Sequence, residues 1–307
     1  LPKGVAPERR AKELIAAAYR QGELIAVATA TIERIDFLRA RFAVIRGATD
    51  PAHRRGHAQL ALAVPSRQAL QQWAIAHPAE RLAGGFVFVN QSEWGDFTRL
   101  PVWPESELAV VGYAEDGHQL RAAWFDHFRY DSGEVHPPLP MAAPEPIGDV
   151  EFRTAWRRDD PQIEADAIAF WQRMGVLPAD ATPERRAKEL VLAVYANGVI
   201  VAVVTGELGL FPQVRARLAM LRGAVDPALR RSYVGFAMML KAREILEAWS
   251  ARNPGERLAG LGGIIEAPEL VAREKQPYWP LSGYGVVGFM PDGRQMRVSW
   301  FRNFRLD

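Results

Sequence analysis

Arg230 and Arg231 stand in the segment Asp226-Pro227-Ala228-Leu229-Arg230-Arg231-Ser232-Tyr233-Val234-Gly235, between a β-rich run and a long helical one. A helix start leaves its first amides unpaired and carries the positive end of the dipole, so the turn ahead of it suits an anion. Two guanidinium groups there add bidentate donors for phosphate. The residues that would form such a site are Val225, Arg230, Arg231, Ser232, Tyr233, Val234 and Gly235. The plain alternative is a helix start solvated by two arginines.

Other residues could do chemistry beside it. Arg215 and Arg217 are two apart, which on a strand places both on one face. They are candidates for binding an acidic or phosphorylated substrate. Otherwise they occupy an exposed edge or form ion pairs between domains, because an inward-facing arginine needs a partner. Glu207 and Glu266 lie near strand ends, and Glu266 is the candidate general base. His53 and His57 are four apart, a spacing that could hold a metal on one helix face. They straddle a turn, and no carboxylate pattern accompanies them, so no metal site is expected.

These groups need elements to position them, and the chain provides those elements twice. Residues 1–131 and 177–307 align without a gap at an offset of 176, and about two in five aligned positions are identical. Arg39 and Arg41 recur as Arg215 and Arg217, and Trp124-Phe125 as Trp300-Phe301. The period is far too long for a solenoid, so this is a duplicated domain. Asp149 to Arg157 reads as a strand. Asp160 caps a helix that runs to Met174, with Pro161 at its first position and Gly175 as its stop. Pro183 to Lys188 reads as a short helix. Strands follow at 189–195 and 199–206 across Ala196-Asn197-Gly198, a hairpin signal. Another strand is expected at 214–225, a helix at 232–252, a strand at 258–266 and a helix near 267–276. The last hairpin, 285–290 and 295–301, turns at Pro291-Asp292-Gly293. The fold class is therefore α/β: two tandem domains, each a mixed, mostly antiparallel sheet flanked by helices. The first domain, 1–131, lacks counterparts of the strand at 149–157 and the helix at 160–174. Those would lie before residue 1, so a native chain beginning roughly 30 residues earlier is expected if both copies complete their cores. Residues 132–148 are proline-rich and read as a semi-extended linker. The second domain is 149–307.

Composition excludes several classes. The 307 residues include no cysteine, which removes disulfides, thiolate metal sites and cysteine nucleophiles. Lys and Arg number 38 against 36 Asp and Glu, without a long basic block or interleaved aromatics, so nucleic acid is not an expected partner. No apolar run reaches the length of a membrane span, and residues 1–20 carry no apolar signal core. A cytoplasmic protein is the expectation.

The element order, with Val225, Pro227, Arg230 and Gly235 in register, resembles the GNAT superfamily of N-acetyltransferases. That family's pattern is Val-x-Pro-x-x-Arg/Gln-x-x-Gly-x-Gly/Ala, whose backbone holds the pyrophosphate of acetyl-coenzyme A. The resemblance covers 149–307, and 1–131 apart from the first strand and helix. This chain departs from the pattern at Tyr233, where the family has glycine and close backbone approach. The first copy departs further, with Thr49, His57 and Gln59 at the valine and two glycine positions. The resemblance thus implies acetyl-CoA or another acyl-CoA as donor, held by the second domain, with the first domain degenerate and structural. It implies an acyltransferase acting on a small-molecule or peptide amine by direct attack. The family often has a tyrosine acid before its last two strands. Trp279 sits at that place and Tyr278 one residue away, so Tyr278 is the candidate catalytic acid, while Trp103 and Trp279 are expected to pack. Glu266 would sit near the splayed centre of the sheet. Two alternatives stay open: an N-acyl synthase using acyl-carrier protein or a long-chain acyl donor, and a non-catalytic binding or interaction protein. Packing of the two domains against each other is also expected.

Overall fold

The computed structural model describes residues 7–56, 58–90, 95–131, 150–177, 182–230, 234–266 and 275–307. The proline-rich stretch 132–148 and the helix expected near 267–276, up to residue 274, lie outside them.

The first half runs α1 (Pro7–Ala11), β1 (Leu14–Arg20), β2 (Glu23–Ile35), β3 (Ala40–Thr49), α2 (Ala58–Ala76), β4 (Leu82–Val89), β5 (Val102–Trp103), β6 (Leu108–Tyr113) and β7 (Gln119–Trp124). The second half runs β8 (Val150–Thr154), α3 (Pro161–Met174), α4 (Pro183–Ala187), β9 (Leu190–Ala196), β10 (Val199–Phe211), β11 (Ala216–Val225), α5 (Val234–Arg252), β12 (Leu258–Ile264), β13 (Tyr278–Trp279), β14 (Tyr284–Phe289) and β15 (Gln295–Trp300). The sheet orders are β1-β2-β3-β4-β7-β6-β5 and β8-β9-β10-β11-β12-β15-β14-β13. Every pairing is antiparallel except β3 with β4 and β11 with β12. The two mixed, mostly antiparallel sheets flanked by helices are the fold class expected.

Local chemistry explains the joints. Asp160 accepts from the amides of Gln162 at 3.1 Å and Ile163 at 3.2 Å, and Gly175 closes α3 at φ 61°. Asn197-Gly198 turns the β9–β10 hairpin with both φ positive, 50° and 77°. One boundary differs from the sequence reading. The strand expected to begin at Val214 begins at Ala216, because Pro212–Val214 form a 3₁₀ turn closed by Arg215 at φ 49°. β10 correspondingly reaches Phe211 instead of ending near Gly206. Arg39 closes the equivalent turn of the first half at φ 52°. A left-handed arginine costs about 1 kcal/mol, and both copies retain one.

That cost is offset where the halves meet. Arg39 stacks over Phe289 at 4.4 Å, and Arg215 over Tyr113 at 4.5 Å. The Tyr130 amide donates to the Lys275 carbonyl at 2.9 Å, and the Leu306 amide to the Arg99 carbonyl at 2.8 Å. Each member of these pairs is its counterpart shifted by 176, so the contact is self-complementary, as in an isologous dimer. Gln213 donates to the equivalent carbonyls of both halves, Val111 at 3.1 Å and Val287. One apolar cluster spans the joint, with Leu38, Phe42 and Val110 from the first half and Val214, Val286 and Trp300 from the second.

The halves differ at their outer edges. In the second, β8 pairs with β9, and α3 contributes Ile163, Phe170 and Trp171 to a core with Leu190 and Tyr195. Leu190 is 2% exposed; its counterpart Leu14, on β1, is 50% exposed.

Candidate functional site

In each half the one parallel strand pair opens like a V. β3 and β4 pair from Arg41/Leu82 to Val44/Phe86, then continue to Thr49 and Val89 without pairing. β11 and β12 pair from Arg217/Leu258 to Met220/Gly262, then continue to Val225 and Ile264. Strands that part turn backbone groups from each other toward the gap, where a ligand can satisfy them. The helix after the V, α2 or α5, starts beyond its open end.

The turn into each helix begins alike. The Asp50 carboxylate accepts from the Ala52 amide at 2.8 Å, and Asp226 from Ala228 at 3.0 Å. Beyond this shared start the halves diverge. Gln59 holds its side chain back across the end of β3, donating to Thr49 Oγ1 at 2.8 Å. A Cβ on Gly47 would lie 2.0 Å from Gln59 Oε1, so the amide occupies the space over that glycine. The second half has Gly235 in place of Gln59, and among the described residues a Cβ there would come no nearer than 3.6 Å, to Val225 Cγ2. Arg230 is exposed, and its Nε donates to the Val225 carbonyl at 3.4 Å, placing the guanidinium at the strand end. Val234 is buried as the first residue of α5. Arg231, Ser232 and Tyr233 lie outside the described residues.

The interiors of the two openings also differ. A cleft of about 1040 Å³ occupies the first half, floored by Ile45, Val87 and Ala123 and walled by Leu62, Ser66 and Arg67 of α2. Phe88, Phe97, Trp103, Leu108 and His118 also line it, with Thr49 and Gln59 at the turn. In the second half Met220 lies across Gly262 and Met238 across Gly223, their atoms 2.4 and 2.7 Å from where a glycine Cβ would stand. Tyr284 is buried where the first half has Leu108, and burial pushes its phenol pKa up. Arg243 binds the Ser282 carbonyl at 2.8 Å, Ser299 Oγ at 3.0 Å and the Trp300 carbonyl at 2.9 Å.

The remaining expected site residues are dispersed. Arg215 belongs to the joint between halves, over Tyr113. Arg217 pairs with Glu256 at 2.5 Å, as Arg41 does with Glu80 at 2.8 Å. The two arginines do not share a strand face, because Arg215 precedes the strand. Glu266 lies just past the end of β12, exposed, and Arg294 holds it at 3.0 Å. Glu207 pairs with Arg222 at 3.8 Å. Tyr278 packs against the cluster between the halves. Burial raises its pKa, and the nearby Glu107 charge adds to this. It therefore keeps its proton at neutral pH. Among the described residues no group of three His, Asp or Glu could hold a metal ion; His57 lies outside them. Among the described residues no helix is long and apolar enough to cross a membrane.

The sequence reading missed one feature present in both halves. Arg121 and Arg297 are 0% and 1% exposed. Arg121 binds the carbonyls of Thr98 at 3.0 Å and Leu100 at 2.7 Å, and Gln119 Oε1 at 2.7 Å, and stacks on Trp103 at 4.5 Å. Arg297 binds the Gln276 carbonyl and Gln295 Oε1, both at 2.7 Å, and stacks on Trp279 at 3.9 Å. Burial pushes the Arg121 guanidinium down to about 9, against a smaller opposing effect of Tyr113. Each clamp fixes the segment ahead of the last hairpin, which in the first half supplies Phe97 and Trp103 to the cleft. The signal was the repeated Gln-x-Arg at 119–121 and 295–297, a costly triplet kept by both copies. Ser66 and Arg67 were missed because nothing local marks them.

No protein-family model matches the chain, and no curated protein matches it. Among solved structures, an acetyltransferase of the GNAT family from Streptococcus pneumoniae aligns at 15% identity and TM-score 0.37, over 50% of this chain and 99% of its own. The ribosomal-protein-S18-alanine N-acetyltransferase from Escherichia coli aligns at 18% and 0.32, over 48% and 90%. The GNAT domain of S. lividans PAT aligns at 16% and 0.32, over 51% and 89%. Likeness at this level carries no weight for substrate or activity; the fold rests on the strand order and pairing above.

Proposed function

We propose that the chain is an acyl-CoA-dependent N-acyltransferase whose donor enters the second half, between β11 and β12, with its diphosphate at the turn into α5. The observation that carries this is the contrast at the helix start: in the first half the Gln59 side chain reaches back to Thr49 at the end of β3, whereas the second half has Gly235, with no side chain, at that position. Arg230 at the Val225 carbonyl supplies the charge, and Arg231, Ser232, Tyr233 and the α5 amides would complete the cradle. The amine attacks the thioester carbonyl directly, its nitrogen forming the amide bond as the coenzyme thiolate leaves. Tyr278, protonated at neutral pH, is the candidate donor of a proton to that thiolate. Glu266 is the candidate base, although Arg294 already engages it. In this reading the first half holds no donor.

Acetyl-CoA, longer acyl-CoA and free coenzyme A should each raise the melting temperature, since a ligand of the native state stabilises it. Gly235→Gln, which copies the first half, should abolish the rise, and Arg230→Ala should reduce it. A rise confined to long acyl chains or to an acyl-carrier protein would favour the synthase reading. No rise with any thioester would overturn the proposal and favour an interaction protein.

A further inference from the structure

The first half's cleft has a chemistry of its own, independent of the donor site proposed above. At the turn Gln59 covers the strand end, which removes room for a diphosphate. At its deep wall Ser66 is 1% exposed, and its Oγ has no hydrogen-bond partner. Beside it on α2, the buried Nε of Arg67 has none either, while Nη2 holds Glu107 at 2.5 Å and the Trp124 carbonyl at 3.4 Å. A buried polar group left unpaired is costly, and native structures seldom retain one without a use.

The second half shows what a closed version looks like. Ser66 stands where it has Ala242, Leu108 where it has Tyr284, and Ala123 where it has Ser299. Arg243 uses Ser299 as a partner; Arg67 faces Ala123 and loses that bond. Three substitutions thus remove a phenol, remove an internal acceptor and add a hydroxyl, and the result is a cleft of mixed lining with donors on its α2 wall.

Charge narrows the ligand. Among the described residues the charged groups lining the cleft are Arg46, Arg67 and His118, with no carboxylate among them. Their partners Glu33, Glu107 and Asp116 stand outside the lining. Arg67 Nε can only donate, and Ser66 can donate, so the complementary group is an acceptor. The remaining lining is largely apolar, with Phe88 53% exposed at the surface. We propose that this cleft binds a carboxylate carrying an apolar body, the carboxylate accepting from Ser66 Oγ and Arg67 Nε and the body lying along Leu62, Leu108 and Phe88.

Calorimetry on the full chain with straight-chain carboxylates of six to twelve carbons, and with the matching alcohols, tests it. One saturable site per chain is expected, with affinity rising about fourfold per methylene and alcohols about tenfold weaker. Leu108→Tyr should abolish binding and Ser66→Ala should weaken it about tenfold; the second half carries both residues at these positions and folds around them. Gly235→Gln should leave carboxylate binding unchanged. The proposal fails if no carboxylate saturates, if alcohols bind equally, if Leu108→Tyr binds like the parent, or if Gly235→Gln abolishes binding. Loss of the acetyl-CoA response with carboxylate binding intact would remove the donor site alone.

Discussion

The two openings share a backbone and differ in what fills them. In both, the parallel pair stops at the same register, and the same Asp-Pro-Ala turn leads to a 19-residue helix. The first is blocked at the turn by Gln59 and hollow within; the second has a glycine, Gly235, at that position and is packed within by Met220, Met238 and Tyr284. Duplication thus preserved the frame, and a few side chains allotted different parts of the opening to each half. The backbone V permits a site; it does not say which ligand.

The sharpest way to break this contrast is to exchange the residues at the turn. Gln59→Gly should uncover the first half's strand end and let a coenzyme A thioester bind there, raising the melting temperature of a chain already silenced by Gly235→Gln. If no response returns, the block lies elsewhere than in Gln59. Next in size are the clamps. Arg121→Met and Arg297→Met each leave buried carbonyls without donors, and each should lower stability by about 3 kcal/mol in urea unfolding. Equal losses would show that the halves depend on their clamps alike; a loss under 1 kcal/mol in one would show that its loop is held by other contacts. The smallest effect concerns the joint. Arg215→Ala keeps the left-handed strain and loses the stacking on Tyr113, about 1 kcal/mol. Arg215→Gly loses the same stacking and relieves the strain, so it should sit near the parent in stability. The same pair at Arg39 should reproduce both values if the joint is symmetric.

Much of the fold was legible because its causes are local. Asp160-Pro161 and Gly175 bound α3, and Asn197-Gly198 places the β9–β10 turn, through side chains and φ values within a few residues. The start of β11 was misread for an equally local reason. The apolar run from Val214 looks continuous, but Arg215 takes a left-handed φ that an arginine seldom adopts, and its compensation, Tyr113, lies about a hundred residues away. Arg215 and Arg217 looked like one strand face for the same reason. In the site, the turn residues could be named from spacing. Ser66, Leu108 and Ala123 could not, since they belong to α2, β6 and β7 and line one cleft only in the folded chain.

The sequence by itself determined that the molecule is one architecture used twice, because an ungapped 176-residue offset leaves each element the same turns, caps and apolar faces. It also marked the strand-to-helix turns as the places where an anion could sit. Only the tertiary structure decided that the halves join face to face through reciprocal contacts, and that the roomy cleft lies in the half with the poorer motif. The reason is that an empty volume belongs to no single segment. It is what remains when side chains from distant strands and a helix come together, and one phenol or one methionine among them closes it.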